Sequence, residues 1–123
     1  MTLITIKKRS EFTRSNKFST KIHTSNFIIQ KLESNTIDKI PHFGFTVTKK
    51  IGSAIVRNKI KRRLKSIIKE LLKYKDEYFD LSFNYILICK KEIVKVSYDD
   101  LQNELMDKFK SNRASYSRND KYI

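Results

Sequence analysis

From Ser53 to Leu72 apolar residues recur at intervals of three and four, and basic residues fill most of the places between them. Val56, Ile60, Leu64, Ile67, Ile68 and Leu71 form one stripe, a period that fits an α-helix with one side in a core. Ser53 stands where a side-chain oxygen can cap the first free amides, so the helix is expected to open there. Six of the nine positions from Arg57 to Lys65 are Lys or Arg, and no carboxylate follows until Glu70. On the helical wheel Arg57, Lys61 and Lys65 make a ridge along one border of the stripe. Asn58, Arg62 and Lys69 continue the polar side, and Lys59 and Arg63 lie toward the other border. At a rise of about 1.5 Å per residue the ridge is about 12 Å long, enough to touch several phosphates. A lysine-rich face kept only for solubility usually carries Glu at i±4, and here the first four turns have none. Any fold this chain adopts must bury one side of the helix and offer the other to a polyanion.

The whole chain agrees with that demand. Its 123 residues suit one domain with a single core, and its net charge is +14, from 27 basic against 13 acidic residues. Self-repulsion of that size weakens a compact state unless a polyanion relieves it, and nucleic acid is the expected partner. Arg is well represented, and its planar fork suits phosphate. No run approaches 18 apolar residues, so no membrane-spanning helix is expected. The stripe is aliphatic and needed by the core, which argues against a membrane-surface helix. MTLITIKKRSEF holds no apolar stretch long enough for a signal peptide. The lone Cys89 excludes an internal disulfide, fits a reducing cytoplasm, and reads as a small buried hydrophobe in a strand.

Catalytic chemistry is hard to assemble from these residues. Cys89, His23 and His42 lack the spacing of metal ligands, and neither histidine sits in a nucleophile motif. Carboxylates gather at 76–80 and 99–107, where loop acidity and a helix N-terminus account for them. With only Gly44 and Gly52, no phosphate-cradling glycine loop is available. The residues describe a nucleic-acid-binding module without a catalytic site of its own.

Elsewhere the patterns are shorter. Residues 10–18 predict a short helix with Ser10 as N-cap. NFIIQKL (26–32) alternates as a strand, with Phe27, Ile29 and Lys31 on one face and Ile28, Gln30 and Leu32 on the other. The polar stretch 34–41 ends in the only proline and reads as a loop, followed by a strand over 42–48. A connection at 73–80 leads to FNYILIC (83–89), apolar on both faces and so central in a sheet. Ser97 opens a last helix whose core face is Tyr98, Leu101, Leu105 and Phe109. The order α-β-β-α-β-α predicts an α+β fold, an α-β sandwich of one central mixed sheet with helices. The domain is expected to span 1–110, with 111–123 a mobile, polar, basic tail.

Ile51, Ala54, Arg57-Asn58-Lys59-Ile60-Lys61-Arg62, Leu64 and Lys65 together resemble the signature of the bacterial ribonuclease P protein component. That signature is an Arg-Asn pair followed by alternating basic and apolar positions on one helix. The lead-in Thr48-Lys49-Lys50-Ile51-Gly52 is similar too, and the likeness runs from about Lys7 to Phe109. The resemblance implies a ribosomal protein S5 domain 2-like fold with a left-handed crossover between parallel strands, against the ordinary rule. It implies an endoribonuclease subunit, inactive alone, in a ribonucleoprotein whose RNA removes the 5′ leader of precursor tRNA. Magnesium would then be bound mainly by the RNA, and no cofactor by the protein itself. The implied partners are the ribonuclease P RNA and precursor tRNA, in the cytoplasm, with no DNA or membrane. Apart from that complex the protein would be a monomer.

Carried over by position, Lys49, Lys50, Arg57, Asn58, Lys59, Lys61, Arg62, Arg63 and Lys65 are the implied RNA-binding residues. Phe12, Ile28 and Gln30 are the implied walls of a cleft for the single-stranded leader. Some relatives carry aromatics where Asn16 and Gln30 stand, so stacking here would rest on Phe12, whose alternative is an ordinary core role. A ribosomal or RNA-chaperone protein would also explain the charge, but not the Arg-Asn pair. A helix-turn-helix DNA-binding module would need a second helix nearby, where strands are expected instead.

Overall fold

The protein is described by a computed structural model that covers residues 3–34 and 38–113. In chain order the elements are β1 (Ile4–Thr5), α1 (Arg9–Phe18), β2 (Thr20–His23), β3 (Phe27–Glu33) and β4 (His42–Thr46). They continue with α2 (Ala54–Leu72), α3 (Lys75–Tyr78), β5 (Phe83–Cys89), a 3-10 turn (Lys91–Lys95) and α4 (Tyr98–Ser111). Among the described residues the strands form one five-stranded sheet in the order β1-β4-β5-β3-β2. It is mixed: β1 with β4 and β4 with β5 are parallel, while β5 with β3 and β3 with β2 are antiparallel. Parallel neighbours need a long crossover, and between β4 and β5 that crossover carries α2.

Of the three predicted serine caps, those at Ser53 and Ser97 form. The Ser53 hydroxyl accepts from the Val56 amide at 3.3 Å, and the Ser97 hydroxyl accepts from the Asp100 amide at 3.1 Å. The stripe of α2 packs on one side of the sheet, where Ile60, Leu64, Ile67, Ile68 and Leu71 join Phe27, Ile29, Phe43, Tyr85 and Leu87 in a single core. Leu101, Leu105 and Phe109 of α4 complete it. Phe43 stacks on Tyr85 at 5.7 Å, and Phe79 meets Phe109 edge-on at 4.9 Å. Tyr85 accepts from the Asp80 amide at 2.9 Å, and burial pushes its phenol far up from its ordinary value. Cys89 is buried in β5 as expected; burial pushes its thiol up to about 12 despite the opposing charge of Lys61. It is a protonated hydrophobe.

Several elements differ from the sequence expectation. β1, β2, α3 and the 3-10 turn are too short, at two to five residues, to show a period. Ser10 is not the cap of α1. Lys8 holds that position without a side-chain hydrogen bond, because β1 releases the chain early enough for the helix to start at Arg9. The first long strand runs Phe27–Glu33, and the next stops at Thr46 although Val47 is still buried. Ser111, expected to begin the tail, ends α4 instead. Asn112 and Arg113 are tied back, the first through its carbonyl to Lys31 at 2.8 Å, the second by donating to the Glu77 carbonyl at 3.0 Å. The remainder of the expected tail, 114–123, lies outside the described residues.

Lys31 is the strongest departure. It shares a face with Phe27 and Ile29, is 7% exposed, and forms a salt bridge with Asp80 beneath the Phe83 ring, 4.7 Å from its centroid. Removing one partner of such a pair strands a buried charge, whereas removing both does not. Asp80→Ala should therefore lower stability by about 3 kcal/mol in urea denaturation. Adding Lys31→Met to that variant should recover much of the loss.

Candidate nucleic-acid interface

Because Ile60, Leu64, Ile67 and Ile68 are locked in the core, the rotation of α2 is fixed and so is the direction its cations face. Arg57, Lys61, Arg63 and Lys65 lie half-buried along the borders of the stripe, while Asn58, Lys59 and Arg62 are exposed on the outer side. Lys49 and Lys50 are exposed in the turn that leads into the helix. The structure thus gathers every residue expected to bind RNA onto one helix and its entrance. Ile60 and Leu64 share one core with Cys89 of β5, and the Lys61 charge opposes the larger upward effect of burial on that thiol.

Among the described residues none of these cations forms an ion pair. The carboxylates that form ion pairs among the described residues do so elsewhere: Glu11 with Arg14, Asp38 with His42, Asp80 with Lys31, Glu70 with Lys73, Glu77 with Lys110, and Asp107 with Lys108. The Arg57 Nε is buried with no hydrogen-bond partner. On the outer side Ile55, Asn58, Lys61, Arg62 and Lys65 line a shallow, open hollow. A row of unneutralised cations above a low-dielectric core attracts a polyanion over a Debye length of about 8 Å at physiological salt.

The opposite side of the sheet carries α1. Phe12 is half-buried and its ring lies over Gly44, where an added Cβ would come within 2.9 Å of the ring Cζ. Glycine is what lets the ring approach the strand this closely. Ser15, fully buried, donates to Gln30 Oε1 at 2.7 Å, and Gln30 Nε2 donates to Asn16 Oδ1 at 2.9 Å. Gln30 is 3% exposed, so its amide supports α1 from below and is not an open wall. Ile28, one pleat along the same strand, is half-buried and in register with the half-buried Ile88, which in turn pairs with Thr46.

Phe12 and Ile28 therefore share one face of the sheet, with Gln30 as hydrogen-bonded support. Sequence reasoning missed Ser15, Thr46 and Ile88. The run 83–89, apolar on both faces, put Ile88 in a strand, but only strand register aligned it with Ile28. Among the described residues no three His, Cys, Asp or Glu side chains come together to hold a metal, and no helix is long and apolar enough to cross a membrane.

The sequence model of the ribonuclease P family matches residues 2–112. The ribonuclease P protein component of Bacillus mycoides is 36% identical over 107 residues, covering 85% of this chain and 87% of that protein. That of Geobacter sp. (strain M21) is 33% identical over 111 residues, covering 89% of each. The structure is similar to that of the Staphylococcus aureus RNase P protein, with a TM-score of 0.70 at 28% identity over 86% of this chain and 92% of that one. It is also similar to the RNase P protein from Thermotoga maritima, with a TM-score of 0.75 over 89% and 97% of the two chains. At 18% identity that second likeness speaks to the fold.

If each exposed or border cation of α2 neutralises one phosphate, its removal should reduce the counterions released on binding. Arg62→Ala and Lys61→Ala should each flatten the dependence of log affinity for RNA on log salt by about one unit or slightly less. Lys110→Ala, whose charge already faces Glu77 at 3.1 Å, should leave that slope unchanged. Equal effects at all three positions would mean that the charge acts diffusely.

Proposed function

The chain belongs to the ribonuclease P protein family, and on that premise we propose that it is the protein subunit of a ribonuclease P ribonucleoprotein. In this reading it binds the catalytic RNA through α2 and holds the 5′ leader of precursor tRNA on the sheet face beside α1. The observation that carries the reading is the row of α2 cations that have no carboxylate partner among the described residues, on a helix whose other side is fixed in the core. Lys49, Lys50, Arg57, Lys59, Lys61, Arg62, Arg63 and Lys65 supply phosphate contacts, and Asn58 supplies an amide that can donate and accept. Phe12 offers a base-stacking surface, and Ile28 offers an apolar one, in a strip that Gln30 holds in shape through Ser15 and Asn16.

Hydrolysis is assigned to the RNA. Magnesium is assigned to the RNA phosphates; among the described residues no three His, Cys, Asp or Glu side chains gather to hold an ion. The protein neutralises phosphates that would otherwise repel each other where two RNAs meet, which lowers the demand for divalent cations. The proposed setting is the cytoplasm, where precursor tRNA is made, with no DNA or membrane and with a monomer outside the complex.

Pure protein should leave precursor tRNA intact, and adding it to the catalytic RNA should lower the magnesium needed for leader removal. Cleavage by RNA-free protein would overturn the assignment. The leader site is tested separately by binding curves for precursor and mature tRNA. Phe12→Ala should narrow the gap between the two by about 1 kcal/mol, the lower end of what one stacked base contributes, because Asn16 and Gln30 add no second ring. Equal weakening of both substrates would reduce Phe12 to a support for α1. A ribosomal or chaperone-type RNA binder would show no leader gap at all.

A further inference from the structure

Ile55, in the first turn of α2, leaves 81% of its surface exposed, more than Phe18 at 73% or Tyr74 at 61%. A single exposed isoleucine is ordinary on a protein surface. This one, however, lies in the hollow formed with Asn58, Lys61, Arg62 and Lys65, whose cations have no ion pair among the described residues. Ile55, Asn58, Arg62 and Lys65 are offset by three, seven and ten residues, so they share one stripe on the outer side of the helix, about 15 Å long. The buried stripe does not use Ile55, since Val56 and Ile60 occupy the core side of that turn. A β-branched residue there is also a poorer helix former than alanine.

A polyanion complements the cations, and a nucleic-acid strand presents more than phosphate. Between successive phosphates lie a ribose and a base, each with an apolar face. An apolar side chain set among cations matches that alternation. Resting on the proposed function above, we infer that Ile55 is the apolar contact that α2 makes with the catalytic RNA. It seats the face of a ribose or base while Asn58, Arg62 and Lys65 hold the adjoining phosphates. The chemistry separates the two kinds of contact. Phosphate contacts weaken as salt rises because counterion release loses its drive, whereas apolar burial does not.

The test titrates the full chain with the catalytic RNA of ribonuclease P over a series of salt concentrations, then titrates the assembled holoenzyme with precursor tRNA. Ile55→Ala should raise the dissociation constant by about five- to tenfold at every salt concentration, leaving the salt slope unchanged. The melting temperature should not fall, because alanine suits a solvated helix turn better. Ile55→Lys should fail to restore affinity at high salt. A loss in the first titration supports the inference, and a loss confined to the second would overturn it by placing the ribose or base in the precursor. Wild-type affinity for Ile55→Ala in both titrations, or tighter binding with a steeper slope for Ile55→Lys, would overturn the inference. Arg62→Ala is the reference: if it flattens the slope while Ile55→Ala changes nothing, this inference falls and the proposed function stands. If wild type binds neither RNA, the proposed function falls with it.

Discussion

Burial of the α2 stripe against β3, β4 and β5 is the contact on which the rest of the molecule depends. Ile60, Leu64, Ile67, Ile68 and Leu71 are each no more than 5% exposed, and burying a side chain of this kind stabilises by about 1.5–3 kcal/mol. Like charges one helical turn apart on the outer side cost only a few tenths of a kcal/mol per pair, at roughly 0.2–0.5. Burial wins by a wide margin, so the helix tolerates its charge and keeps one rotation. That rotation turns a basic composition into a basic surface.

The sheet serves two different neighbours. Toward α2 and α4 it is a packed apolar face whose aromatic cluster joins Phe43, Phe79, Tyr85 and Phe109. Toward α1 it is narrower and partly polar. A glutamine buried there without partners would cost about 1–3 kcal/mol for its unmet groups, but Ser15 and Asn16 meet both ends of the amide. The same contacts hold α1 at a fixed height, and Gly44 lets Phe12 come down onto the strand. What lies beyond α1 on that face, Ile28, Ile88 and Thr46, stays partly open.

Charge is partitioned as deliberately as hydrophobicity. Among the described residues, acidic side chains close ion pairs at α1, at the α3–α4 corner, at the end of α2, and in the buried Lys31–Asp80 pair. None reaches the first turns of α2. The repulsion stored there is the counterpart of affinity for a phosphate chain, and the family to which the protein belongs gives that affinity a use.

The long patterns in the sequence already contained much of this. Apolar spacing and the serines at 53 and 97 determined α2 and α4, alternation determined β3, a run apolar on both faces determined β5, and the missing carboxylates marked the cationic face of α2. These are properties of neighbouring residues, so they survive without a fold. Tertiary structure decided the rest: that Ile4–Thr5 and Thr20–His23 become edge strands, that Ile28 aligns with Ile88, and that Gln30 is support beneath α1. It also decided that Lys31, placed on an apolar face by alternation, finds Asp80 at a sequence separation of 49. Strand register and the partner of a buried charge depend on residues dozens of positions away. They are fixed only when burial on both sides of the sheet leaves one arrangement in which Gln30 and Lys31 find their partners.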